Sequence, residues 1–434
     1  MINNIIGKRL LVMDRTSLAA CAVKRAKELG LYTIVANFYP IEQSPSKQIA
    51  DEAINVDISD IDAMLAISKE KKIDGIFVGW TDSHLPFYAE ICHRAGLPCC
   101  GTTKQFEILS NDKRKFKEYC LKYGVPVPQE YKLTIDFNRD DLNRIEYPVI
   151  VKPADESGSR GIRKCTNEEG LIENFTWSYN RSKSKQIFVE QYIDSLQEIF
   201  LHYTIQNGVY SLSSAFMKYR AITENEAAAS AILHMFAPPQ IECYRKTVEP
   251  ATVNMFKNLG LKNGVVMLQG FIKDDKFYFY ESGLRMGGEQ FYVFAERLNG
   301  VSALDLMIEF SVTGEMRSAN VKKLDNPNFS KSCCNYYVTL KPGTITEIKG
   351  IDKVSRMPQV LQVATFKDVG SVIDPTNSLD RVIYRIHVMD DTPELFAKTL
   401  EKISKKLRII DKNGQEMQLE EITYDRALQM ATFK

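Results

Sequence analysis

Apolar positions follow two alternating periods along the first hundred residues. Arg9-Leu-Leu-Val-Met13 is a short continuous apolar run that reads as a buried strand, and Tyr32-Thr-Ile-Val-Ala36 and Ile73-Asp-Gly-Ile-Phe-Val78 repeat it. Helical spacing fills the gaps: residues 18–29, with Ser17 as cap and Gly30 as stop, and residues 61–71. Strands alternating with helices predict a parallel sheet with right-handed crossovers. From Asn111 the pattern changes. A helix over 112–123 ends at Gly124, and Tyr147-Pro-Val-Ile-Val-Lys152 and Ile187-Phe-Val-Glu190-Gln-Tyr-Ile193 read as strands. Strand signals run from 199 to 217, and a hairpin covers 264–281. After Phe310 come Tyr336-Tyr-Val-Thr-Leu340, a turn at Lys341-Pro-Gly343, a strand over 381–387, and a helix over 392–407 with Asp391 as its expected cap.

The 434 residues exceed one core and predict roughly two to four domains. Apolar content of 44% and charged content of 26% are those of a globular protein. A formal charge of +1 argues against nucleic acid or membrane as partner, and no window approaches the ~20 apolar residues of a membrane span. The start, with only a short apolar stretch, predicts no signal peptide. Nine scattered cysteines with no Cys-x-x-Cys predict reduced thiols in a cytoplasm, and the five histidines lack zinc-ligand spacing.

The candidate chemistry begins at Glu281-Ser-Gly-Leu-Arg285-Met-Gly287-Gly288. A carboxylate can hold a divalent cation, an arginine phosphoryl oxygens, and glycines let backbone amides approach an anion. Upstream, Lys152 closes an apolar strand, where a charge needs a reason that a phosphate would supply. The loop Ser157-Gly158-Ser159-Arg160-Gly161 is rich in donors for phosphate, though it reads equally well as a hairpin turn. Taken singly, Lys113, Glu198, Lys218 and Arg220 read as surface residues and His234 as a core histidine. If Asp274, Asp275 and Lys276 form a three-residue loop, Gln269 lies opposite Glu281; a two-residue loop would spoil that pairing. The first strand lacks the Gly-x-Gly-x-x-Gly of a dinucleotide site.

In this order the residues resemble the ATP-grasp superfamily of carboxylate–amine (or thiol) ligases, over nearly the whole chain. The resemblance implies a multidomain α/β and α+β protein: a Rossmann-like pre-ATP-grasp domain over 1–105, the ATP-grasp fold over 106–310 with a lid at about 130–195, and a C-terminal α+β domain over 311–434. By position it implies that Lys113, Lys152 and the loop Ser157, Gly158, Ser159 and Gly161 meet ATP phosphates. Glu190, Gln191 and Ile193 would form the adenine hinge, and Glu198 would bind ribose. Glu281, with Gln269, would ligate Mg²⁺, with Mn²⁺ as the alternative ion, and Arg285, Gly287 and Gly288 would serve the transferring phosphoryl group and the carboxylate. The implied reaction joins a small carboxylate to an amine through an acyl phosphate, in a protein that is a homodimer by resemblance. Three positions depart from the family: Gln269 stands for a second carboxylate, Gly283 for an asparagine, and Met267 for the histidine of dipeptide-forming relatives. Either Glu289 or Asp274 rebuilds the metal site, or catalysis is weak or absent. The competing readings are therefore a nucleotide-binding accessory or regulatory protein, and a bicarbonate-activating carboxylase or carbamoyl-phosphate-type synthase, which normally needs fused or partner subunits; the sequence shows no Met-Lys-Met biotin-carrier motif and no glutaminase Cys/His pair.

Overall fold

The computed structural model describes residues 4–154, 161–222, 230–374 and 378–433. Its first sheet joins β1 (Arg9–Val12), β2 (Tyr32–Asn37), β3 (Glu52–Asn55) and β4 (Gly75–Phe77), all parallel, in the order β3-β2-β1-β4. The strands are apolar throughout because both faces are covered. One face, through Leu11, Met13, Ile34 and Ile76, meets the helices Ile61–Glu70 and Leu85–Ala95. The other takes Ser17–Glu28 and Ala303–Thr313, whose Leu304, Leu306 and Ile308 share a core with Leu10, Val12, Val35 and Phe77. The helix Ser17–Glu28 begins one residue earlier than its periodicity predicts: Thr16, not Ser17, accepts the Ala19 amide hydrogen bond. Thr392 likewise replaces Asp391 as cap of Pro393–Lys406.

A second sheet, β5 (Glu130–Tyr131), β6 (Val149–Pro153), β7 (Arg163–Cys165) and β8 (Ile187–Gln191), runs in the order β5-β8-β6-β7. Its small core packs Val149, Val151 and Val189 against Leu171 and Phe175.

The largest sheet has eight antiparallel strands. They are β9 (Glu198–Gln206), β10 (Val209–Arg220), β11 (Ala231–Phe236), β12 (Gly264–Lys273), β13 (Lys276–Gly283), β14 (Ser332–Thr339), β16 (Val360–Thr365) and β18 (Val382–Asp390), in the order β13-β12-β9-β10-β11-β14-β18-β16. It therefore runs unbroken from residues near 200 to residues near 390. The short β15 (Gly343–Lys349), β17 (Val372–Ile373) and β19 (Arg408–Asp411) form a three-stranded sheet beside it.

The β12–β13 hairpin corrects one expectation. Its turn has two residues, Asp274 and Asp275, at φ +50° and +57°, with Lys273 paired to Lys276; aspartate tolerates this left-handed backbone better than most residues. Gln269 nevertheless faces Glu281, because the register shifts after Gly270↔Phe279 and leaves Tyr280 as an extra residue. Gly270 permits the close approach there: a Cβ on it would lie 2.9 Å from the Tyr278 carbonyl oxygen and from Phe279 Cδ1. Gly270→Ala should destabilise the protein by about 2 kcal/mol through this overpacking, measurable as a lower denaturant midpoint; an unchanged midpoint would show that the bulge relaxes freely.

Candidate functional site

The hairpin end carries the first cluster. Ser282 donates to the Leu109 carbonyl at 2.6 Å and the Leu284 amide to Ser110 Oγ at 2.8 Å, docking the start of the helix Lys113–Tyr123 against β13. Lys113 Nζ consequently lies 3.3 Å from Glu281. Across the ladder, the Tyr280 hydroxyl reaches Glu198 at 2.6 Å and Gln269 Oε1 at 3.3 Å.

Glu198 is buried, not a surface carboxylate, and Lys218 (3.1 Å) and Arg220 (2.9 Å) are its ion partners rather than surface residues. Burial pushes the Glu198 carboxyl up, but Lys218 and Arg220 outweigh it and hold the group below its ordinary range. Lys218 is itself pushed down by burial. Three donors already converge on Glu198, so little acceptor capacity remains for a ribose hydroxyl.

The second cluster lies on β6 and β8. Lys152 has a reason for its burial that the sequence does not reveal: Glu190 sits 2.8 Å from it and is also bound by Lys117. Lys117 reads in sequence as one more polar helix position, and nothing there marks it. Phe188 lies beneath Arg114, Lys117 and Lys152, with centroid distances of 5.0, 5.5 and 5.8 Å. Burial pushes Glu190 up, and the two lysines more than reverse it. Arg114 stands 3.7 Å from Glu130, so three cations (Arg114, Lys117, Lys152) face two carboxylates (Glu130, Glu190). The surplus positive charge suits an anion. Of the other predicted hinge residues, the Gln191 amide is taken by the Gln129 carbonyl at 2.8 Å, and Ile193 is buried. Gly161 adopts φ +76°, while Ser157, Gly158 and Ser159 lie outside the described residues.

Past β13, Arg285 is bound by Asp82, a residue no sequence signal singles out. The Gly287 carbonyl accepts from Trp80 Nε1 at 3.1 Å, and the Gly288 carbonyl accepts from Arg385. Neither carboxylate considered for rebuilding the metal site stands beside Glu281. Asp274 occupies the hairpin turn, and Glu289 is paired with His202 at 2.5 Å. Glu289 Oε1 fills the space above Gly287, where a Cβ would come within 1.8 Å. His202 is held in turn by Ser214 Oγ at 3.0 Å and stacks on Phe291. The Glu289 carbonyl accepts from Asn335 Nδ2 at 2.6 Å and lies 3.2 Å from His387 Nε2. His387 is pushed down to about 3, first by burial and then by Arg385, so it is neutral. His234 packs on Phe216, and burial keeps it neutral too. Arg385 is buried on the neutral oxygens of Gly288 and Gln290; no carboxylate among the described residues pairs with it. A buried guanidinium without a counter-ion invites an anionic ligand. β18 reads in sequence only as a strand.

Among the described residues no group of three or more His, Cys, Asp or Glu side chains could hold a metal ion unaided. Glu281 with Gln269 instead fits Mg²⁺ held by one carboxylate and shared with phosphate oxygens. No helix of the described residues is long and apolar enough to cross a membrane.

Parts of the chain are similar to known proteins. Residues 112–204 match the family model of the carbamoyl-phosphate synthase L chain, ATP binding domain, and residues 336–411 match L-amino acid ligase C-terminal domain 2. The 2-oxoglutarate carboxylase small subunit of Hydrogenobacter thermophilus is 27% identical over 71% of this chain and 68% of its own length. The carbamoyl phosphate synthase large chain of Clostridium botulinum is 23% identical over 39% of this chain, which spans only 16% of it. The crystal structure of L-amino acid ligase from Bacillus licheniformis superposes with a TM-score of 0.76 at 18% identity, covering 94% of this chain and 100% of that one, a likeness of fold.

The Glu289–His202 pair has a pH signature. Burial raises the Glu289 carboxyl, but the charge and hydrogen bond of His202 bring it down to about 2, from an ordinary 4.5. A carboxylate depressed in the folded state contributes stability that is fully present above its unfolded pKa and lost as the pH falls toward the folded one. Denaturant midpoints of wild type and Glu289→Gln should therefore differ most above about pH 5 and converge toward about pH 2. A gap that stays constant over that range would remove the pair as its cause.

Proposed function

We propose that this chain is an ATP-grasp protein acting as an ATP-dependent carboxylate–amine ligase, releasing ADP and phosphate. The observation that carries this reading is the Lys113–Glu281 pair beside Gln269, a cation and a carboxylate brought together near one strand end, a set suited to a phosphate and its metal ion.

In this reading Lys113 and Lys152 hold the phosphates, and Lys117 adds to the positive field behind Lys152. Glu281 and Gln269 hold Mg²⁺, with Mn²⁺ as an alternative; the ion, when bound, neutralises charge on the transferring phosphoryl group. Arg285 steadies that group, and Gly287 and Gly288 shape the adjoining wall. Arg385 offers an uncompensated cation to the substrate carboxylate. The carboxylate oxygen attacks the γ-phosphorus, ADP departs, and an amine then displaces phosphate from the acyl carbon. The protein's contribution is to position and to neutralise; no side chain forms a covalent bond.

The proposal retains the division into 1–105, 106–310 and 311–434, adenine near Glu190–Ile193 and ribose near Glu198, a homodimer, and a cytoplasmic setting in keeping with nine free cysteines. A second reading, a nucleotide-binding accessory protein with impaired catalysis, is favoured by the neutral Gln269 and by Glu198 being already engaged.

Phosphate and ADP release should be measured with ATP and Mg²⁺ across pooled carboxylates and amines. Release should require an added carboxylate, stop on chelation, and fall about 100-fold in Glu281→Ala. Tight ATP binding with no release in any pool would favour the accessory reading, and no ATP binding would end both.

A further inference from the structure

Arg285 takes its orientation from outside the hairpin that carries it. Its Nε donates to Asp82 Oδ1 at 2.7 Å and its Nη2 pairs with Oδ2 at 2.7 Å, a side-on fork with both oxygens engaged. Nη1 donates to the Met286 carbonyl at 3.0 Å. Asp82 lies in the turn that follows β4 of the N-terminal sheet, and that turn is fastened to its surroundings. The Met286 amide donates to the Gly79 carbonyl at 2.9 Å, Trp80 reaches Gly287, Thr81 Oγ1 donates to Asp14 at 2.8 Å, and Asn111 Nδ2 donates to the Asp82 carbonyl at 3.1 Å.

A guanidinium is planar, and each of its edges presents a fixed pair of donors. With Asp82 on the Nε/Nη2 edge, the Nη1/Nη2 edge is turned away from the carboxylate. Met267 Sδ lies 3.9 Å from Nη1 and 3.6 Å from Gln269 Nε2, so Arg285 borders the face that holds Gln269 and Glu281. Gly283 completes the arrangement. A Cβ there would lie 3.4 Å from Arg285 Cγ and 3.5 Å from Asp82 Oδ1, so the Asp82–Arg285 pair fills the volume a longer side chain would need.

We propose that Asp82 is a positioning residue, through which the N-terminal sheet holds the Nη1/Nη2 edge of Arg285 toward the terminal phosphoryl group of a bound nucleoside triphosphate. The proposal rests on the nucleotide reading above and extends it to a residue some 200 positions away in sequence. Arginine has many rotamers, and fixing one before binding removes an ordering cost that binding would otherwise carry.

The test compares two nucleotides on the full chain by calorimetry: MgADP, and the Mg²⁺ complex of the non-hydrolysable triphosphate AMP-PNP, which retains a terminal phosphoryl group. Asp82→Asn should leave MgADP affinity within about twofold and weaken AMP-PNP binding on the order of tenfold. Asp82→Glu, which keeps a carboxylate, should recover most of that loss. In an Arg285→Met background, Asp82→Asn should add nothing, since neighbours acting through one another are not additive. Equal weakening of both nucleotides, tighter AMP-PNP binding in Asp82→Asn, or additive losses in the double variant would overturn the proposal while leaving the nucleotide site standing. A wild type that binds neither nucleotide would instead fail the underlying reading. If Asp82→Asn does not fold, the Asp82→Glu and Arg285→Met arms decide by the same ratio of affinities.

Discussion

A two-residue hairpin keeps one pairing register unless a strand carries an extra residue, and here that residue is Tyr280. The rest of the site depends on this bulge. It brings Glu281 opposite Gln269 and directs Tyr280 to Glu198. Beyond it, β13 is left in the phase that sets Glu281 beside Lys113 and sends Arg285 to Asp82. One residue fewer would turn that whole set to the opposite face of the sheet.

Around this frame, charge is buried in an orderly way. Removing a carboxylate or ammonium from water is costly unless a partner compensates. Glu198 has Lys218 and Arg220, Glu289 has His202, and Glu190 has two lysines. The exceptions carry the information. The surplus cation among Arg114, Lys117 and Lys152, and the unpaired Arg385, are the places where an anion would complete the balance.

The N-terminal sheet is joined to this machinery by its loops as well as its core. The helix Ala303–Thr313, which follows the hairpin in sequence, packs on β1 and β4, while Gly79, Trp80 and Asp82 bond the segment just past β13. A sheet with no dinucleotide loop of its own thus shapes a site built largely by other strands.

Much of the fold and part of the site were legible in the chain itself. Hydrophobic period decided the strands and helices, because burial of apolar side chains follows local periodicity. The order Lys113, Lys152, Glu190, Glu281, Arg285 marked candidate charged positions along the chain: Lys113 opens a helix, Lys152, Glu190 and Glu281 lie near strand ends, and Arg285 follows β13. What lay beyond it were partners distant in sequence. Nothing in the sequence marked Lys117 or Asp82, and Lys218 and Arg220 looked like surface residues. The Gln269–Glu281 pairing was foreseen through the wrong loop, because a bulge leaves no mark in a run of alternating aromatics. Local pattern determines which element a residue occupies. Which charge compensates which is a property of three-dimensional packing, decided by desolvation at contacts that only the folded chain creates.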